Sequence, residues 1–389
     1  MDSEMGVAEG RGFSDEKIFK IIRPGGIARW CRRRHGLGSQ PTLPGQEPFN
    51  GPRSYYRGWS KLIKDADIIQ LHWVGRFLDY PSFFHAIRPE QRVFWRLSDM
   101  NPLTGGCHYD GGCCRFLEAC GNCPQLAAPG ELDASRRGFL LKKRVFGQLQ
   151  ANSIHFIAAS RWMFSLIQRS PLTAYSPVHL LPLGVDTDIF RDPGPEGRQE
   201  IRSRMGIAAD AKVLLAGAGS LAVLRKGGAM LAEVLTRLGE NPPWLVLSLG
   251  DEPLPEIPGI SCRHLGKVPH GPRLAEVYAA ADLLLFFPSQ ENLANMLMES
   301  LACGTPAVAT DVGGNPDCMK EGLNGWLVPA SEAAAAVQKI RNYFALRDER
   351  KGEIRAACRQ TIEENFCQKR QIRRYCDLYA QVFAAESKD

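Results

Sequence analysis

The chain has 389 residues, more than one ordinary hydrophobic core accommodates, so two domains are expected. Its net charge of +6 is mild: it suits anionic small molecules such as nucleotides and is too diffuse for a face that tracks nucleic acid. No apolar run approaches the ~18–20 residues of a membrane span, and MDSEMGVAEGRG has no basic stretch ahead of an apolar one, so the chain reads as cytoplasmic.

Residues 1–60 show little apolar periodicity. The basic run Arg29-Trp30-Cys31-Arg32-Arg33-Arg34 is either a solvated helix face or a contact for an acidic surface. From Asp65 the pattern sharpens. Ala66–Val74, Arg92–Leu97, Ser153–Ala159 and Val178–Pro182 have the length and composition of buried parallel strands, with a basic helical stretch near 136–149. The turn-rich Leu183–Thr187 marks a domain boundary.

A second alternation follows. Lys212–Ala216, Trp244–Leu249, Ile260–Leu265, Leu283–Phe287, Ala307–Thr310 and Gly325–Val328 read as strands. Gly227–Leu238 and Asn295–Ala302 read as helices, and Ser331–Leu346 and Asp348–Ala385 are predominantly helical. This predicts an α/β fold of two doubly wound, Rossmann-like domains, 1–186 and 187–365, with a closing helix over 366–389. Ligands of such sheets sit at the carboxyl ends of the strands, so the expected site is a cleft between the domains.

Twelve cysteines are present, and five crowd into Cys107–Cys123. A reducing compartment disfavours a disulfide framework. Cys107, Cys113, Cys120 and Cys123 include a Cys-x2-Cys pair, which fits a tetrahedral, structural zinc site; reduced thiols or loop disulfides are the alternatives. Cys114 is a spare, and His108 is a substitute ligand.

The most informative segment runs from Pro288 to Gly325, and its core is Pro288 to Pro306, PSQENLANMLMESLACGTP: a polar loop and then a helix, with Gly304 at its C-cap and Pro306 preventing continuation. Backbone N–H groups near Asn295 and Met296 would form an anion site at the helix start. Glu291 sits in the loop and Glu299 about one turn into the helix. Two carboxylates so spaced are either solvated helix-end charges or two contacts to the hydroxyls of one extended ligand.

This segment resembles the signature of glycosyltransferase family 4, retaining enzymes of the two-domain GT-B fold. The match runs through Pro288-Ser289, Glu291, seven residues, Glu299-Ser300, Cys303-Gly304-Thr305-Pro306, Gly313-Gly314-Asn315-Pro316 and Asn324-Gly325. The resemblance implies that Glu291 contacts the donor sugar and Glu299 the ribose. Asn295 and Met296 would offer backbone donors to the diphosphate. Upstream, Arg225-Lys226-Gly227-Gly228 resembles the family's Lys-Gly, so Lys226 would neutralise the departing diphosphate. Family members often carry an Arg five or six positions earlier, where this chain has Leu221 and Ser220. Arg225 is the nearest substitute, or else a surface cation. Gly217-Ala218-Gly219 lacks the third Gly of a dinucleotide fingerprint, and no acidic residue closes a second strand at the usual distance, so a dehydrogenase is a poor reading.

In the first domain, Trp95 to Tyr109 and the loop GGCHY…CGNCPQL resemble an exopolysaccharide, colanic-acid-type subgroup of the family. Those members often read His-Asp-Met where this chain has Ser98-Asp99-Met100. Asp99 is a candidate for positioning the acceptor, and His72 and His108 are either structural or near the reacting sugar. Asp2-Ser3-Glu4-Met5 resembles the family's second strand, so its first strand and Gly loop are expected to be absent. Gly25-Gly26 is a poor substitute, because Ile27–His35 has too narrow an apolar face. The closing helices are expected to cross back to the first domain.

The resemblance implies transfer of a sugar from a UDP- or GDP-type nucleotide sugar to a glycan or lipid-linked acceptor, with retention, in polysaccharide biosynthesis. No metal would be required at the chemical step, and nucleic acid would not be a partner. The enzyme could lie peripherally at the inner face of the membrane. Ser98 and the missing Gly loop keep open a non-catalytic subunit that retains the nucleotide site. A zinc-dependent nucleic-acid binder has only the cysteine loop in its favour.

Overall fold

The computed structural model describes residues 5–7, 18–20, 39–54, 58–149, 153–239 and 243–386. Asp2-Ser3-Glu4, the Gly25-Gly26 turn and the Arg29–Arg34 run lie outside the described residues. The chain forms two compact units: Met1–Ala158 with Phe164–His179, and Ala159–Met163 with Leu180–Asp389.

In the first unit, β1 (Met5–Val7) and β2 (Ile18–Lys20) form a parallel pair, and β3 (Ser39–Gln40) and β4 (Phe49–Asn50) an antiparallel one. The main sheet follows chain order: β5 (Ile68–Leu71), β6 (Arg92–Leu97), β7 (Ile154–Ala158) and β8 (Val178–Leu180). β5–β6 and β6–β7 pair in parallel. β5 is shorter than the apolar run that predicts it, because the chain leaves the sheet at Leu71 and His72 and Trp73 reach solvent. The basic stretch forms the helix Ala134–Phe146, whose first turn is satisfied by the Asp133 carboxylate accepting from the Ser135 and Arg136 N–H groups. The core is aromatic: Trp95 packs against Tyr80, Phe84 and Phe156 at centroid distances of 5.5, 6.0 and 6.0 Å.

The second unit holds a six-stranded sheet of β9 (Lys212–Gly217), β10 (Trp244–Leu249), β11 (Ile260–Gly266), β12 (Leu283–Phe286), β13 (Ala307–Thr310) and β14 (Gly325–Val328). Their spatial order is β11-β10-β9-β12-β13-β14, and every pairing is parallel. Counted from β9 this is 3-2-1-4-5-6, the doubly wound order. The central strands are buried on both faces, which explains their unbroken apolar runs: Val213–Ala216 and Ala307–Ala309 are fully inaccessible. Helices Gly228–Leu238, Pro272–Ala280, Asn295–Ala302 and Ala333–Phe344 connect and cover the strands.

The closing helical stretch is two helices, Asp348–Asn365 and Gln368–Glu386. The break follows from a β-bridge between Val185 and Cys367, in which Val185 N–H donates to Phe366 and Gln368 N–H to Val185. Residues pinned to a strand-like partner cannot also continue a helical ladder. Among the described residues, no helix is long and apolar enough to cross a membrane.

Candidate functional site

In a doubly wound sheet the connections run in opposite directions on either side of the first strand. The loops after the two adjoining strands therefore part and leave a crevice at their carboxyl ends. Here that switch point lies between β9 and β12, and the loops following both strands carry the charged residues singled out by the sequence.

After β9 the chain makes a short turn at Leu224–Lys226 and reaches Gly227 at φ +74°. A side chain at Gly227 would place Cβ 1.7 Å from the Phe287 carbonyl oxygen, so only glycine lets this turn lie against the end of β12. Ser289 N–H donates to the Arg225 carbonyl at 2.8 Å and locks the two loops together. The result is an ion cluster: Arg225 Nη1 and Lys226 Nζ both donate to Glu291 Oε2, at 3.0 and 2.9 Å. Arg225 Nη1 also donates to the Gln290 carbonyl at 2.7 Å.

Glu291 is supported from the other side by Gly313 and Gly314. Gly314 N–H donates to the Glu291 carbonyl at 3.2 Å. A Cβ at Gly313 would stand 1.6 Å from that carbonyl oxygen, and one at Gly314 1.8 Å from the Asn292 oxygen. Asn292 accepts from the Ser160 hydroxyl at 2.7 Å; Ser160 belongs to the short segment Ala159–Met163 that clusters with this unit. Burial pushes the Glu291 carboxyl up, but the Lys226 ammonium and the Arg225 guanidinium outweigh it and hold the group below its usual range. Glu291 is therefore an ionised, fixed carboxylate bearing two cations, and the cluster carries one net positive charge.

The helix Asn295–Ala302 begins at Ala294 with no side-chain cap, so the N–H groups of Asn295 and Met296 stand at a helix start that no side chain closes. Glu299 is buried one turn further on. It accepts from the Tyr278 hydroxyl at 2.9 Å and lies 3.5 Å from His270 Nε2. Burial pushes its carboxyl up, against the opposing hydrogen bond from Tyr278 and the charge of His270. Glu291, Arg225, Lys226, Asn295, Met296 and Glu299 thus lie in the switch-point loops and the first helix after β12. Tyr278 and His270 were missed by the sequence reading: they come from another loop and helix, and nothing in their spacing marks them.

In the first unit Asp99 follows β6 and lines a pocket with His72, Trp73, Trp95, Ser98 and Asn101. Both oxygens of its carboxylate accept hydrogen bonds. Oδ1 accepts from the Asn101 N–H at 2.8 Å, while Oδ2 accepts from Trp73 Nε1 at 2.9 Å and from His108 Nδ1 at 2.6 Å. The Asn50 amide donates to the other ring nitrogen of His108, also at 2.6 Å. With both nitrogens occupied, His108 is a member of this network and is removed from the set of substitute metal ligands. Trp73, exposed and stacked on His108 at 5.7 Å, is a further pocket residue that the sequence reading passed over, although it follows a strand at its carboxyl end.

The cysteines of the loop are free thiols. Cys107, Cys120 and Cys123 are buried, Cys113 is half-buried and Cys114 is exposed. As they stand, no three His, Cys, Asp or Glu donors among the described residues form a group that could hold a metal ion.

Residues 212–345 match the family model described as glycosyl transferases group 1. A D-inositol 3-phosphate glycosyltransferase of Xylanimonas cellulosilytica is 30% identical over 254 residues, 61% of this chain and 60% of that protein. One from Catenulispora acidiphila is 31% identical over 185 residues, 42% of each chain. The chain thus spans less than two thirds of the length of these relatives. Among solved structures, sucrose-phosphate synthase from Thermosynechococcus elongatus superposes with a TM-score of 0.64 at 17% identity, covering 84% of this chain and 76% of that one. Anabaena HepE in complex with UDP-glucose superposes with a TM-score of 0.59 at 14% identity, covering 83% and 80%. Over residues 212–345 the chain therefore matches the group 1 glycosyltransferases in sequence, and its α/β fold, with two parallel sheets, is that of GT-B glycosyltransferase structures.

Proposed function

We propose that this chain is a retaining glycosyltransferase that takes a nucleotide diphosphate sugar of UDP or GDP type as donor and a glycan or lipid-linked glycan as acceptor, in polysaccharide synthesis. The observation that carries the reading is the cation pair Arg225–Lys226, fixed on Glu291 at the switch point of the second unit. The names of the relatives point to sugar transfer, and those of two solved structures to UDP or UDP-glucose.

The chemistry follows from charge. Transfer breaks the bond from the anomeric carbon to the phosphate oxygen, and the electron pair leaves on the diphosphate. The acceptor hydroxyl oxygen forms the new bond, and its proton passes to the released phosphate oxygen. Lys226, Arg225 and the N–H groups of Asn295 and Met296 oppose the charge growing on the leaving group, which lowers the barrier without a metal ion. Glu291 orients both cations and offers an acceptor to the sugar hydroxyls. Glu299 accepts from the ribose hydroxyls. In the first unit, Asp99 with Trp73 and Ser98 receives the acceptor. A lipid-linked acceptor would be met at the inner membrane surface from the cytoplasm.

One observation favours a second reading, a nucleotide-binding subunit without turnover. Ser98 stands where the family resemblance implies a histidine, and His108 does not replace it because its ring nitrogens are taken by Asp99 and Asn50. A panel of UDP-, GDP-, ADP- and dTDP-sugars separates the possibilities, since a ligand of the folded state raises its melting temperature. A shift with donor hydrolysis or transfer supports the enzyme, and a shift without turnover supports the subunit. No shift with any donor sinks both.

A further inference from the structure

We propose that the helix Ala134–Phe146 of the first unit docks on an anionic lipid bilayer, through Arg136, Arg137, Lys143 and Arg144 arranged about Leu140. The helix reads ASRRGFLLKKRVF. It holds Arg136, Arg137, Lys142, Lys143 and Arg144 and no carboxylate, in a chain whose 48 basic residues are nearly balanced by 42 acidic ones. So uneven a charge on one short helix marks a place of contact with negative charge.

One face of the helix is committed to the fold. Ser135, Gly138, Phe139, Lys142 and Val145 are buried. A Cβ at Gly138 would stand 2.1 Å from the Gly105 carbonyl oxygen, so the helix is pressed onto that loop. Lys142 donates from this face to the carbonyls of Asn101 and Thr104, at 2.5 and 3.0 Å. The opposite face is open. Leu140 is 48% exposed there, and its helical neighbours, three and four residues away in each direction, are Arg136, Arg137, Lys143 and Arg144. Arg136 is half-buried and the other three are exposed; among the described residues none of the four forms an ion pair. Of the two acidic residues just ahead of the helix, Glu131 is exposed and Asp133 is taken up by the N–H groups of Cys123, Ser135 and Arg136. Arg137 also donates to the Leu132 carbonyl, which keeps a second exposed leucine, at 69%, beside the patch.

A leucine ringed by cations suits a bilayer better than another polyanion. The headgroup layer offers phosphates to the long basic side chains and an apolar layer beneath them for the leucines. A nucleic-acid backbone would meet the cations and leave Leu140 and Leu132 in water. A protein groove that takes a helix reads apolar anchors at successive turns, and here the turns on both sides of Leu140 carry only cations. The place of the helix also has a consequence that rests on the lipid-linked acceptor proposed above. Asn101, which Lys142 holds from the buried face, lines the pocket of Asp99 and Trp73. A docked helix would therefore set that pocket about one helix diameter, ~10 Å, from the headgroups.

The test is sedimentation of the full chain with vesicles of phosphatidylcholine, with and without phosphatidylglycerol. The chain should bind only the anionic vesicles and be released as salt rises from about 0.05 to about 0.5 M. Each basic residue near such a surface is worth about fivefold in partition, so Arg137→Glu with Arg144→Glu should weaken binding by at least about thirtyfold. Leu140→Ser should weaken it at every salt concentration. Arg237→Glu with Arg350→Glu makes the same change in net charge on exposed helices of the second unit and should bind like the parent. Thermal melts confirm that the variants are folded. Equal loss in the two double variants overturns the proposal, as does equal binding to both kinds of vesicle. Binding to polyuridylate or polyglutamate as tight as to the anionic vesicles also overturns it. Melting shifts with nucleotide sugars on the same samples report the donor reading separately. A donor shift without vesicle binding sinks the membrane proposal alone, and vesicle binding without a donor shift upholds it while that reading falls.

Discussion

Glu291 and Lys226 meet at 2.9 Å across 65 residues of chain, and next to Lys226 the glycine Gly227 lets its turn lie against the end of β12. Lys226 shares the carboxylate oxygen with Arg225 and is the more exposed of the two cations. Lys226→Ala leaves Glu291 paired with Arg225, so no buried charge is orphaned and the fold is expected to hold. If Lys226 opposes charge on the departing diphosphate, the transfer rate should fall by about 10²–10³-fold, the usual loss for one preorganised electrostatic contact. Steady-state transfer or donor hydrolysis, read beside a thermal melt, checks this. A rate within about threefold of the parent would remove Lys226 from the chemical step.

Arg225 and Lys226 also control how Glu291 responds to acid. In the parent, burial pushes this carboxyl up but the two cations win, so its folded value lies below the unfolded reference of 4.5. Its contribution to stability is therefore present above pH 4.5 and lost as pH falls through the folded value. In Arg225→Gln with Lys226→Met, burial is left as the dominant influence and the sign reverses: the carboxyl binds its proton more tightly when folded. Stability should then fall as pH rises from 4.5 towards neutrality. Melting temperatures between pH 4 and 7.5 distinguish the two slopes, and parallel curves for parent and variant would refute the coupling.

Gly227→Ala tests the geometry that brings the loops together. The new Cβ would meet the Phe287 oxygen at 1.7 Å, and the backbone at φ +74° disfavours any side chain. The strain of a left-handed non-glycine residue alone is about 1–3 kcal/mol, and the clash adds to it. A fall in unfolding free energy of at least about 2 kcal/mol is expected, with nucleotide affinity lost in whatever protein remains folded. Gly259→Ala, also at positive φ but in the exposed β10–β11 connection, is the control for backbone strain alone. Equal effects of the two changes would show that contact with β12 is not what this glycine provides.

The second unit was the more legible half. Its strands are buried on both faces and write themselves as continuous apolar runs, and Gly227, Gly313 and Gly314 stand where the loops press on one another. The first unit was harder to read because its site is assembled by polar contacts from distant segments. Asn50 reaches His108, and Trp73 reaches Asp99, with no periodic pattern to announce either. Lys142 sits in RRGFLLKKRVF, where neighbouring cations are exposed, so its complete burial has no signature in composition. The break of the closing helix at Phe366–Cys367 was hidden for a similar reason: it is imposed by Val185, not by a local helix breaker.

Glu299 offers the clearest separation of function from stability. Its carboxyl is buried, accepts one hydroxyl from Tyr278, and has its pKa raised mainly by that burial. A carboxyl raised above its unfolded value of 4.5 binds its proton more tightly when folded, so the charged form weakens the fold as pH rises through the folded value. Glu299→Gln keeps the shape and still accepts from Tyr278, but removes the charge. The variant should melt no lower than the parent at pH 7.5 and should lose the parent's decline in stability above pH 4.5. If the carboxylate accepts both ribose hydroxyls, the variant should bind the nucleotide sugar about tenfold or more weakly, because a hydrogen bond to a charged acceptor is worth about 1.5–3 kcal/mol. Calorimetric titration with UDP- and GDP-sugars, set against melts of the same samples, reads the two effects separately. Unchanged affinity in a fully folded Glu299→Gln protein would move the ribose to another part of the switch-point crevice.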